Sequence, residues 1–228
     1  MHLHLPKPLH GWREFTGEVG IIVIGVLIAL GEEQVVEDLH WSTETRAARR
    51  ALDSDAQDSL AAALFRKNEQ PCIDRRLNEI ATIFREQAKG HAIVLHGSIG
   101  RPPSLFLPTA TWQVSVSSQA VEHMSLKERL NFGAAFQNYE NMNDLLRREQ
   151  DAWLKLAVLD DPAVLSDGDW PGLHEAYAAA KTLSKRMGVI ADWVLSNQSL
   201  GQAPSTSAAV KRALAVTVQQ FCTPILKG

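Results

Sequence analysis

The sequence predicts an all-α chain: an N-terminal transmembrane helix that continues into a long amphipathic helix, followed by a helical bundle. Three observations point there. Val19 to Leu30 carries no charge. Glu32 to Asn68 contains neither proline nor glycine, and its apolar residues return at Val35, Val36, Leu39, Ala47, Ala51, Leu52, Ala56, Leu60, Ala63 and Leu64. That spacing suits one face of a helix. Beyond it, strand-like alternation is nearly absent, while cap and stop residues divide the chain into helix-length pieces. With 228 residues, 45% of them hydrophobic, a real core can form. A net charge of -3 provides no basic field for nucleic acid.

The apolar run extends to about 17 residues if Phe15, Thr16 and Gly17 join it, near the lower limit for crossing a hydrocarbon core. Three readings compete: a membrane anchor, a cleaved signal peptide with small residues at Ala29 and Gly31, and a buried helix of a soluble protein. Flanking charge favours the anchor. Lys7 and Arg13 precede the run, Glu32, Glu33, Glu37 and Asp38 follow it, and the next basic residue is Arg46. Because lysine and arginine stay on the cytoplasmic side, the N-terminus is expected inside and the remainder outside. Trp12 suits the headgroup edge. The expected division is a cytoplasmic N-terminus (1–14), a membrane helix (15–31), a stalk helix (32–70) and an extracytoplasmic bundle packing on the stalk (71–228).

The stretch from Gly11 to Gln34 has Glu18 standing before Ile21-Ile-Val-Ile-Gly-Val-Leu-Ile-Ala-Leu30. It resembles the N-terminus of a group of bacterial single-pass membrane proteins of unknown function. The likeness covers about the first 40 residues, with a looser one at Pro71-Cys-Ile-Asp-Arg-Arg76 and around Trp112. It implies an anchor in the bacterial inner membrane and a periplasmic helical domain, and it brings no activity.

Glu18 is weighed two ways. A carboxylate inside a bilayer is expensive and is a functional candidate, but one at the inner interface, near Arg13, reaches headgroups. Gly25 and Ala29 form a small-x-x-x-small pair that permits close approach of a second membrane helix. Glu18, Gly25 and Ala29 are therefore the candidate membrane-helix contacts.

After the stalk, Pro71 is expected to end the first helix. A second is expected from Ile73 to Lys89, with Leu77, Ile80, Ala81 and Phe84 on one face and Gly90 as its stop. His91 to Pro108 reads as a loop, with a short extended piece at Ala92 to Leu95. Thr109 is expected to cap a third helix reaching His123. Ser125 and Glu128 fit a capping box opening a fourth helix to Leu159, burying Leu130, Phe136, Met142, Leu145, Leu146, Trp153 and Leu156. A fifth is expected from Leu173 to Leu200, stopped by Gly201 and Pro204. A last one, capped by Ser205 or Ser207, runs to Cys222.

Cys72 and Cys222, about 150 residues apart, exclude a short metal or redox pair. In an oxidising compartment the natural reading is one disulfide, worth about 4 kcal/mol less any strain; two buried thiols are the alternative. The eight histidines show no ligand spacing, so no metal or cofactor is expected. Gly97 to Arg101 reads as a surface turn rather than a phosphate loop. Glu140, Asp144, Glu149 and Asp151 read as a solvated helix face, and Trp112, Trp153, Trp170 and Trp193 as core. With no catalytic constellation, the chain is expected to be a non-enzymatic interaction or scaffold module of the envelope. Its partners are the lipid bilayer and either a second copy or another envelope protein, with no nucleic acid. A small-ligand sensor with a pocket between the fourth and fifth helices is the alternative, and an enzyme ranks last.

Overall fold

The computed structural model describes residues 11–91, 94–196 and 208–226. Among the described residues, five α-helices run in chain order: α1 (Trp12–Ala88), α2 (Ala110–Ser117), α3 (Leu126–Leu156), α4 (Trp170–Ser196) and α5 (Ala208–Cys222). Short 3-10 turns join them at Ala120–His123, Ala157–Asp160, Pro162–Val164 and Asp167–Asp169. No strand occurs among the described residues. The architecture is the expected one, an apolar N-terminal helix followed by a helical bundle.

One expected boundary disappears. Pro71 does not end a helix: α1 is a single helix of 77 residues, about 115 Å long, with Pro71 inside it. Proline removes one backbone donor and orphans the carbonyl four residues back, here Lys67. Both Pro71 and Lys67 are exposed, so water can take that carbonyl. On either side, Arg66, Glu69, Ile73 and Arg76 are buried on the opposite face, and their packing holds the helix through the proline. Gly90, with φ 75, terminates it, and its N–H bonds the Gln87 carbonyl.

The two ends of α1 lie in different surroundings. From Phe15 to His40 every residue except Gly20 is exposed, including Ile21, Ile22, Ile24 and Leu27. The first buried side chain is Thr45. From there on, α1 is a bundle helix, so the bundle begins well before residue 71. Leu52 and Ala62 form one core with Leu107, Met124, Phe136 and Tyr139. Farther along, Ile73, Leu77, Ile80 and Phe84 meet Trp153 and Leu156 of α3, Leu173, Ala176 and Ala180 of α4, and Ile99, Phe221 and Ile225.

Other expectations shift. The third helix stops at Ser117 because Gln119 takes a left-handed conformation, φ 62. The turn buries Ala120 and Val121, and the Ala120 carbonyl accepts from Thr45 Oγ1 at 3.4 Å. Thr109 precedes α2 but makes no cap bond. The Ser125–Glu128 capping box forms in full. Of the expected α3 core, Leu130 is 63% exposed because it lies on the outer face of α3, between Glu128, which pairs with Arg49, and Phe132, which packs on the core; Met142 and Leu145 are half-buried. Trp193 is 56% exposed on α4. The extended piece at Ala92 to Leu95 falls partly outside the described residues. The end of the fifth helix at Leu200, its stops at Gly201 and Pro204 and the caps at Ser205 and Ser207 fall wholly outside them.

Cys72 on α1 and Cys222 at the end of α5 form a disulfide, with Cα atoms 5.0 Å apart. Replacing both by serine is expected to lower stability by about 2–4 kcal/mol in a denaturant titration, and dithiothreitol on the unaltered chain should match it. Pro71→Ala restores the missing helical bond. It should raise stability by about 1–2 kcal/mol, the gain being trimmed by the freer unfolded chain.

Candidate functional site

The conspicuous chemistry lies inside the bundle, along the buried face of α1. Arg66 points from α1 between α3 and α4. Its Nη1 donates to Glu149 Oε2 at 3.0 Å and its Nη2 to Glu149 Oε1 at 2.6 Å, a two-pronged ion pair. Nη2 also donates to the Ser184 carbonyl at 3.1 Å. The Ser184 hydroxyl donates to Glu149 Oε1 at 2.5 Å, and Trp153 Nε1 donates to that hydroxyl at 3.4 Å. Glu149 and Ser184 are fully buried and Arg66 is nearly so. Charges are tolerated in such surroundings only when paired and hydrogen-bonded, as Glu149 is.

Glu69 is the exception. It stands three residues after Arg66, is 1% exposed, and neither of its carboxyl oxygens has a hydrogen-bond partner. Burial pushes its pKa up to about 8; the Arg66 guanidinium pulls it down and the Glu149 carboxylate pushes it further up. The Arg66 Nε–H is likewise without a partner. One guanidinium thus faces two carboxylates and serves only Glu149.

A second polar cluster fastens the 98–99 loop and the C-terminal segment. Arg76, also buried, donates to the carbonyls of Ser98 (2.5 Å), Ile99, Phe221 (2.7 Å) and Thr223 (2.8 Å), and pairs with Glu79. Glu79 accepts the Ile225 N–H at 2.9 Å, and Arg75 donates to the Cys222 carbonyl beside the disulfide. The Gly97 to Arg101 turn does gather donors for an anion, but the anion is the chain's own Asp160. That carboxylate takes the Ser98 hydroxyl at 2.5 Å and the Ile99 N–H at 2.6 Å.

The sequence-level candidates fall as follows. Cys72 and Cys222 meet. Glu18, Gly25 and Ala29 lie on the exposed part of α1, before its first buried side chain at Thr45. The carboxylates expected on one solvated face of α3 divide: Glu140, Asp144 and Asp151 are exposed, whereas Glu149 is buried. Its place was legible, because 146, 149, 153 and 156 form one helical stripe with Leu146, Trp153 and Leu156. Arg66 and Glu69 carried the same signal between Ala63 and Ile73 and were missed.

Glu69 has the proton affinity of a general acid, but a catalytic acid must reach a substrate. The cavity bordered by Arg66, Leu105, Leu107, Met142, Leu146 and Met187 measures about 30 Å³, room for a water or two. His123 stacks on Trp41 at 4.1 Å and His174 on Phe84 at 4.2 Å, so both serve as packing rings. No group of three or more histidine, cysteine or acidic residues among those described is placed to hold a metal. His2, His4 and His10 fall outside the described residues.

Arg66→Met is expected to destabilise the fold by about 3–5 kcal/mol by leaving Glu149 buried and unpaired. The double variant Arg66→Met/Glu149→Leu should recover most of that loss. Denaturant titration followed by far-ultraviolet circular dichroism would decide it, and additive losses would rule out a coupled pair.

No protein family, curated protein or solved structure matches this chain, and the cluster is read from its own chemistry.

Proposed function

We propose that this chain is a membrane-anchored, non-enzymatic envelope module that engages a helical partner through the free side of α1. Residues 15–31 would span the bacterial inner membrane, with the N-terminus cytoplasmic and the bundle periplasmic. The observation that carries this reading is that α1 is long and apolar enough to cross a membrane and none of its most apolar stretch is buried. The core helix of a soluble protein would be largely covered. An uncovered run of isoleucine, valine and leucine this long needs an apolar solvent. The signal-peptide reading is disfavoured because the helix passes through Ala29 and Gly31 and becomes the central element of the bundle. The Cys72–Cys222 disulfide fits an oxidising compartment.

The partner-facing side follows from helical geometry. At about 100° per residue, Ala29, Val36, Leu39 and Thr43 lie within about 40° of Gly25, and Glu18 shares that side. Thr45, Leu52 and Ala56, which meet the bundle, lie roughly 180–220° round. The small-residue face of the span therefore continues into Val36 and Leu39, 67% and 63% exposed, on the side the bundle leaves open. The small-ligand alternative has a space of about 530 Å³ between α3 and α4, bordered by Asp151, Lys155, Leu173 and Ala176, but it is an open, part-polar groove rather than the closed apolar cavity that reading calls for, and the space beside Arg66 is only about 30 Å³.

Carbonate extraction should leave the chain in the membrane, and protease added to spheroplasts should digest the bundle. A bundle protected in intact spheroplasts and digested only on lysis would reverse the topology. Leu39→Cys in native membranes should give an oxidative or bifunctional crosslink to a second chain of defined mass. A crosslink equally strong from Gln34→Cys, exposed but about 180° round from Gly25, would deny the face its specificity.

A further inference from the structure

We propose that Glu69 is a proton-operated switch of the bundle: while its carboxyl is neutral, α4 stays closed over α1 and α3, and loss of the proton loosens α4. The argument rests first on geometry. Glu69 is 1% exposed with both oxygens unpartnered, and the only guanidinium of the cluster is already bound by both prongs to Glu149. A neutral carboxyl there lacks two hydrogen bonds. An ionised one would add a second negative charge to a buried site holding a single positive one, which is far costlier.

The charged groups acting on Glu69 are Arg66 on its own helix and Glu149 on α3. From α4 the cluster receives only the Ser184 hydroxyl and carbonyl. The charged side chains of α4 nearby, Lys181, Lys185 and Asp192, line an open groove with Lys67 and Gln70 and face solvent. Thus α4 brings no cation that could neutralise an ionised Glu69. It is also the element whose movement would admit water, since Gly188 lies close against Gln70 and the Lys67–Asp192 pair beyond it is exposed. Ionisation also offers Arg66 a competing carboxylate for its idle Nε–H, three residues along α1, which weakens its hold on Glu149 and on the Ser184 carbonyl.

The direction in pH follows by linkage. Solvated in an opened state, Glu69 titrates near its ordinary 4.5; packed, near 8. Between those values the closed state binds one more proton than the open state, so closure weakens as pH rises. The opening constant should climb by up to about tenfold per pH unit in that window and level off above it.

Hydrogen exchange of the full chain in lipid nanodiscs, corrected for the intrinsic pH dependence of exchange, tests this. Amides of α4 around residues 184–191 should lose protection steadily from pH 5.5 to 8 and plateau by pH 9, while residues 15–31 stay unchanged. Glu69→Gln, isosteric and always neutral, should hold α4 protected across the range. A pH-independent α4 in the natural chain overturns the proposal, whether or not the variant folds. So does an unchanged slope in Glu69→Gln.

Discussion

Pro71 leaves the Lys67 carbonyl without its helical donor, and α1 nevertheless continues to Ala88. Most of what the bundle does depends on that continuity. The residues after the proline include Cys72, Arg75, Arg76 and Glu79, which hold the C-terminal segment; those just before it include Arg66 and Glu69. A break would turn one set away from the other. The helix tolerates the proline because its defect faces water, whereas the opposite face is closed by apolar and ionic contacts.

A continuous α1 also couples two environments. Its first part is bare along the side that lines up Gly25, Ala29, Val36 and Leu39, and its second part is the central core helix. About 20 Å of helix separates Gly31 from Thr45, where burial begins. No proline or glycine occurs between Gly31 and Pro71 to break it. The exposed stretch and the Arg66–Glu69 cluster therefore lie on one continuous helix.

Polar groups in the bundle serve two distinct ends. Around Arg76, one guanidinium donates to four loop and tail carbonyls and to the Glu79 carboxylate, so the cluster satisfies the 98–99 loop and the C-terminal segment. Around Arg66, the pairing is incomplete: Glu149 is fully served and Glu69 is not. The first arrangement is what a stable junction needs. The second leaves a group whose charge can change, which a purely structural core gains nothing by keeping.

The sequence by itself determined the helical class, the charge-free run before the carboxylates of 32–38, the capping box at Ser125 and Glu128, and which two cysteines were available to pair. These are local properties, set by spacing, caps and hydropathy within a turn or two. Only the tertiary structure decided that Pro71 is tolerated, that the third helix breaks at Gln119, and that Leu130 and Trp193 face outward. It alone brought Glu149 of α3 and Ser184 of α4 against Arg66. Each of those outcomes depends on what another helix places opposite the residue. A stripe such as 146, 149, 153 and 156 can show that a carboxylate will be buried, but not which arginine, 83 residues earlier, will meet it.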